Sequence, residues 1–185
     1  LMEEEIKNCV ETLKKGGIIL YPTDTVWGIG CDATNEKAVK KVYELKRRSK
    51  SKALIILIAE YANLYRLIDQ ISPDAYEHIH YKEPTTVIFD NVKNISKHAI
   101  ANDGSAAIRL PNDEFCKKII SSLGQPIVST SANISGGDNP KSFKEINKEL
   151  KDNVDYVVNL RQNEIMDKPS SIIKICEDGK IQKIR

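Results

Sequence analysis

The densest concentration of chemically useful side chains in this sequence is Lys46-Arg47-Arg48-Ser49-Lys50-Ser51-Lys52. Between Lys37 and Lys52 eight basic residues face one acid, Glu44, which makes +7 in a chain whose net charge is +2, so the rest sums to −5. Guanidinium forks and ammonium groups match phosphate oxygens, and the run has two readings: a solvated helix end, or a site for polyphosphate or nucleic acid. Two small polar stretches are its natural counterparts. Thr23-Asp24-Thr25 and Ser129-Thr130-Ser131-Ala132-Asn133-Ile134-Ser135-Gly136-Gly137 offer hydroxyls, an amide and backbone N–H groups, the donors that wrap an anion. A fourth stretch, Gly28-Ile29-Gly30-Cys31-Asp32-Ala33, spells the dinucleotide fingerprint G-x-G-x-x-[GA]. Its glycines stand too far beyond the strand closed by Pro22, and Glu60 follows Gly30 by about 30 residues where the fingerprint wants an acid at about 20. Dinucleotide binding is therefore not expected.

No Ser-His-Asp set, Cys-His pair or carboxylate pair stands out, so catalysis by a protein nucleophile is not expected. Phosphate positioning and charge neutralisation remain, the means by which phosphoryl and nucleotidyl transfers are mostly accelerated. Cys9, Cys31, Cys116 and Cys176 form no C-x-x-C pair and are expected as buried, reduced thiols. His78 and His80 make a lone H-x-H and His98 stands apart, so no protein-held metal site is expected.

Lys46 and Arg48 can share a site only if their helix has ended, because residues two apart on a helix face different ways. Ala38, Val39, Val42 and Leu45 set that helix from Asn35 to about Lys46, and its end is expected near Arg47, with Lys46 exposed and both long side chains reaching over the carboxyl edge of a sheet. Strands are expected at Ile18 to Tyr21, Leu54 to Ile58, Thr86 to Phe89, Ala106 to Leu110, Ile127 to Ser129, Tyr156 to Leu160, Ser171 to Cys176 and Lys180 to Ile184, with Thr23 to Thr34 a loop. Between them, helices are expected through Ile6 to Leu13, from Ser72-Pro73-Asp74, from Asn112-Asp113-Glu114 to Gly124, and from a Ser142/Glu145 capping box to about Leu150. Alternation of strands and helices over 185 residues implies one α/β domain, 1–185, with a twisted mixed parallel/antiparallel sheet and flanking helices. Nothing approaches the roughly 20 apolar residues of a membrane span, and the acidic start Leu1 to Glu5 lacks a secretory profile, so a cytoplasmic location and no membrane partner are expected.

In order and spacing, four motifs resemble the YrdC family of threonylcarbamoyl-AMP synthases: P-T-D-T-V-W-G-I-G-C-D-A at Pro22 to Ala33, K-x-R at Lys46 and Arg48, R-x-P at Arg109 and Pro111, and S-A-N-x-S-G at Ser131 to Gly136. Weaker echoes at Thr86, Ser170-Ser171 and Ile184-Arg185 extend the resemblance over nearly the whole chain. The chain departs from the family pattern at Ser49, at Lys52-Ala53-Leu54, at Tyr81-Lys82-Glu83-Pro84-Thr85-Thr86 and at Leu57.

The resemblance implies a YrdC-like fold with an electropositive concave face, and a reaction of L-threonine, bicarbonate and ATP giving threonylcarbamoyl-AMP and pyrophosphate for tRNA modification. It places the catalytic signature on Lys46, Arg48, Ser131 and Asn133. Arg48, Lys52, Ser105, Ser131, Asn139 and Arg185 would line the nucleotide. Thr25, Arg109, Ser129 and Ser170 or Ser171 would hold threonine, Arg109 pairing with its carboxylate. Magnesium would enter with ATP as Mg-ATP, and the product would pass to a downstream threonylcarbamoyl transferase. The rival expectation is a non-catalytic module that binds tRNA or double-stranded RNA on the same basic face, with affinity that falls steeply with salt and needs no threonine.

Overall fold

A computed structural model describes residues 1–49, 54–176 and 178–185. In chain order the strands are β1 (Ile19–Tyr21), β2 (Gly28–Gly30), β3 (Ile55–Leu57), β4 (Thr85–Phe89), β5 (Ala106–Arg109), β6 (Ile127–Ser131), β7 (Tyr156–Val157), β8 (Ser171–Ile175) and β9 (Ile181–Lys183). The helices are α1 (Met2–Lys14), α2 (Glu36–Lys46), α3 (Leu64–Leu67), α4 (Asp74–Ile79), α5 (Glu114–Leu123) and α6 (Lys148–Asn153). Among the described residues the strands join one sheet in the order β7-β1-β2-β6-β3-β5-β4-β8-β9. The pairs β1–β7, β3–β5 and β4–β8 run parallel and the others antiparallel, which is the expected mixed sheet with flanking helices.

Register explains how one sheet makes both a core and a site. Val128, Ile56, Ile108, Val87 and Ile173 lie side by side across five strands and are all buried. Successive side chains of a strand point to opposite faces, so the next residues, among them Ser129, Ile55, Arg109, Thr86 and Ile172, turn to the other face. On the buried side, α5 contributes Phe115, Cys116, Ile119 and Ile120 and packs against α1, whose Ile6, Cys9, Val10 and Leu13 repeat at helical spacing. Asp113 caps α5 by accepting the Cys116 N–H at 3.0 Å, and Gly124, at φ +77, ends it. Among the described residues no helix is long and apolar enough to cross a membrane.

Three expectations are corrected. Gly28–Gly30 is a strand, not loop, and its glycines serve packing: a Cβ on Gly30 would sit 2.4 Å from the Val128 carbonyl oxygen and 2.7 Å from the Tyr21 ring. The helix expected from Ser142 is instead a 3₁₀ turn, Phe143–Glu145, followed by α6, because Glu145 turns back to accept the Lys141 N–H and Asn147 supplies the cap by accepting the Glu149 N–H. Cys9, Cys31 and Cys116 are buried free thiols, whereas Cys176, just after β8, is only half-buried.

Candidate active site

The helix carrying the basic run stops where the chemistry requires. Asn35 caps α2 by accepting the Ala38 N–H at 3.0 Å, and Ala38, Val39, Val42 and Tyr43 bury one face. Arg47 then takes a left-handed conformation, φ 52, while the Arg48 N–H returns to the Tyr43 carbonyl at 2.9 Å and the Arg47 N–H to that of Glu44 at 3.0 Å. This is a Schellman end with arginine where glycine is usual, a backbone strain of about 1–2 kcal/mol. Its effect is to bring Lys46 and Arg48 toward one region, while Arg47 swings out to an exposed ion pair with Glu149.

Lys46 is not the exposed helix-end lysine expected: it is completely buried. Its Nζ donates to the Ser131 carbonyl at 2.5 Å, the Ser131 Oγ at 3.2 Å and Asn133 Oδ1 at 3.0 Å. The Ser131 hydroxyl donates to Asn133 Oδ1 at 2.6 Å, Asn133 Nδ2 to the Gly137 carbonyl at 2.8 Å, and the Ser135 N–H to the Lys46 carbonyl at 2.9 Å. The serine–asparagine turn is thus docked on the tail of α2. Burial, then the charge of Arg48, draws the Lys46 ammonium down to about 7, and burial lowers Arg48 too.

In front of this turn lies a pocket of about 140 Å³. Thr25, Arg48, Arg109, Ser129, Ser131, Asn139, Ser170 and Arg185 of the expected set line it, with Ile55 and Ile172 from the sheet. Lys46 and Asn133 stand behind Ser131 and do not line it. Lys52 lies outside the described residues. Ser105 is not on the wall; its N–H and hydroxyl are both given to Asp103 Oδ1, at 3.0 and 2.6 Å. Of the serine pair, Ser170 is the lining residue, and exposed Ser171 falls on the opposite face of β8 from Ile172.

One residue absent from the expected set organises the threonine-rich wall. Asp24 accepts Arg109 Nη1 at 2.6 Å and the Asn112 N–H at 3.0 Å, so Arg109, almost fully buried, already holds an internal carboxylate. Nη2 of Arg109 lies 3.4 Å from Thr25 Oγ1. The Thr23 hydroxyl donates to the Val26 carbonyl at 2.7 Å, which leaves the Thr25 hydroxyl to donate to Thr23 Oγ1 and to turn its lone pairs to Arg109. On the far wall Arg185 donates twice to the Ser170 carbonyl, at 3.0 and 2.7 Å, and Ser170 Oγ pairs with Thr86 Oγ1 at 2.8 Å. Burial, then Arg109, lowers Arg185 below its ordinary value. Among the described residues three guanidiniums and no acid line the pocket, an arrangement that attracts a polyanion. A larger hollow of about 590 Å³, between residues 58–67 and 120–126, contains none of the expected site residues.

The chain is similar to known proteins along nearly its whole length. Residues 11–185 match the Sua5/YciO/YrdC family model, described as telomere recombination. A threonylcarbamoyl-AMP synthase of Saccharophagus degradans is 35% identical over 144 residues, covering 77% of this chain and 75% of the relative. One of Vibrio parahaemolyticus is 32% identical over 174 residues, covering 91% and 93%. A variant of P. abyssi Sua5 superposes with a TM-score of 0.88 at 26% identity over 97% of this chain and 55% of that one. P. abyssi Sua5 complexed with L-threonine gives 0.85 at 24% over 97% and 53%, and E. coli YciO 0.85 at 20% over 100% and 89%, both likenesses of fold. The chain thus spans about half the length of the P. abyssi chains it matches.

Proposed function

From the premise that this chain belongs to the Sua5/YciO/YrdC family, we propose that it is a threonylcarbamoyl-AMP synthase, joining L-threonine, bicarbonate and ATP into threonylcarbamoyl-AMP and pyrophosphate. The observation that carries this reading is the two-armed lining of the pocket: the guanidiniums of Arg48 and Arg185 with the Ser131 turn, and small hydroxyls around Arg109, whose charge Asp24 neutralises. Arg48 and Arg185, with Ser131 and Asn139, suit the triphosphate arm; Thr25, Ser129, Ser170 and Arg109 suit the amino acid, a reading supported by the threonine bound to P. abyssi Sua5.

The threonine amine adds to carbon dioxide drawn from bicarbonate, forming a carbamate and releasing a proton. A carbamate oxygen then attacks the α-phosphorus, the bond to the β-phosphate breaks, and pyrophosphate leaves. Negative charge gathers on phosphate oxygens in that step, and guanidiniums fixed in a half-buried pocket stabilise it without reorganising. Lys46 acts through Ser131 and Asn133, since its donors already go to the turn. Magnesium would arrive as part of the substrate Mg-ATP, which suits a wall that, among the described residues, carries hydroxyls and an amide and no carboxylate. The acyl-adenylate is a reactive mixed anhydride and would be consumed by a threonylcarbamoyl transferase acting on tRNA.

The test is incubation of the protein with ATP, threonine and radiolabelled bicarbonate, measuring pyrophosphate and the labelled acyl-adenylate. Product that requires all three substrates supports the proposal. No product, with RNA bound by a salt-steep affinity indifferent to threonine, would make this an RNA-binding module instead.

A further inference from the structure

Arg161 lies outside every motif singled out in the sequence, yet it holds the back of the threonine-rich wall. Its Nη2 donates to the Thr23 carbonyl at 2.7 Å, its Nη1 to Asp113 Oδ2 at 2.7 Å and its Nε to Glu164 Oε2 at 3.2 Å. Its backbone is left-handed, φ 55, a conformation that a residue with a Cβ adopts at a cost and keeps only where its surroundings impose it. Each acceptor matters elsewhere. Asp113, nearly buried, uses its other oxygen to cap α5. Thr23 is the hub of the turn, receiving the Thr25 and Val26 N–H groups on its hydroxyl oxygen at 3.0 and 3.2 Å.

The T-D-T turn is therefore gripped from two sides. Arg109 and the Asn112 N–H hold Asp24, while Arg161 holds Thr23 and ties it to the start of α5. Thr25, which lines the pocket, is suspended between these grips. A lysine could reach one of the three acceptors; only a planar fork satisfies them together.

We infer that Arg161 is a positioning residue for the amino-acid arm of the pocket: its guanidinium sets the Thr23–Thr25 turn, and so the affinity for the amino-acid substrate, without touching that substrate. The inference rests on the reading of that arm as the threonine site. It separates the side chain from the backbone through one informative substitution. Arg161→Gly accepts φ 55 without strain and deletes the guanidinium, so any loss belongs to the fork.

The experiment compares wild type, Arg161→Gly and Arg161→Lys in steady-state kinetics, with hydrogen exchange at the Thr25 and Val26 amides read by NMR. In Arg161→Gly the KM for threonine should rise about tenfold or more, the KM for ATP should stay within about twofold and kcat within about threefold. Arg161→Lys should restore part of the threonine affinity, and both amides should exchange at least tenfold faster in the glycine variant. An unchanged threonine KM, or equal losses for both substrates, overturns the inference, as does unchanged exchange at Thr25 and Val26. If the wild type makes no acyl-adenylate, the proposed function falls, while the exchange comparison still decides whether Arg161 orders the turn.

Discussion

Raising the pH from about 7.5 to about 8.5 should stabilise this protein through Lys46. Burial, then Arg48, pulls its ammonium from 10.5 to about 7 in the folded chain. The unfolded chain titrates at the ordinary value, so between about 7 and 10.5 it binds more protons than the folded chain, and stability grows with pH across that window. A full proton of difference is worth about 1.4 kcal/mol per pH unit; over this interval the difference averages about 0.9 proton, or about 1.2 kcal/mol. For a chain of 185 residues that is a Tm rise of about 2–4 °C. The control is Lys46→Met, which keeps an unbranched stem and leaves no acceptor bare: Ser131 O still receives the Asn133 N–H, and Asn133 Oδ1 the Ser131 hydroxyl. Scanning calorimetry of both proteins over pH 7–9, read as wild type minus variant, cancels every other titrating group. Parallel curves would refute the depressed proton affinity. If Mg-ATP binds as proposed, its negative charge near Lys46 should make the protein take up protons at pH 8, to a ceiling of about 0.9. That uptake is measurable as the buffer dependence of the calorimetric binding enthalpy.

Asp24→Ala strands a guanidinium that is 3% exposed, and should cost about 3–5 kcal/mol in urea unfolding. Gly30→Ala forces a Cβ against the Val128 carbonyl and the Tyr21 ring, so it should abolish soluble expression or cost at least about 3 kcal/mol, while NAD should leave the wild-type Tm unmoved. Arg185→Ala removes the donors to Ser170 and a pocket charge, and should raise the KM for ATP about tenfold, measured by pyrophosphate release at saturating threonine.

The site was more legible in the sequence than the supports that hold it. Spacing alone required α2 to end between Lys46 and Arg48, and it does, but by a left-handed arginine that no propensity announces. The strand Gly28–Gly30 was hidden because glycine is disfavoured in strands, and the reason for it here, the approach of Tyr21 and Val128, is tertiary. The Ser142/Glu145 capping box was spelled out in sequence yet overridden, because the Lys141 N–H captured Glu145. Asp24 and Arg161 find their partners 85 and 48 positions away, a pairing without any local signature. Lys46 misled for the same reason: its burial depends on a turn 85 residues distant.

On the proposed function, counter-charge would divide the pocket between the two substrates. Arg47 and Arg161 each have a carboxylate away from the wall, and Arg109 has Asp24, so the threonine-side arm is close to electrically neutral. Such an arm suits a zwitterion, whose carboxylate can approach the remaining face of Arg109 while its amine meets hydroxyl oxygens. Arg48 and Arg185, with Lys46 behind Ser131, supply the positive charge of the other arm; burial lowers the proton affinity of all three, helped by Arg48 at Lys46 and by Arg109 at Arg185. Exchanging the occupants would set a triphosphate against Arg109, whose charge Asp24 already offsets from behind the wall, and leave two guanidiniums facing a ligand with no net charge. On the proposed function, electrostatics would order the substrates along the pocket, with the carbamate oxygen and the α-phosphorus meeting near Ser129 and Ser131, the β6 residues that line it.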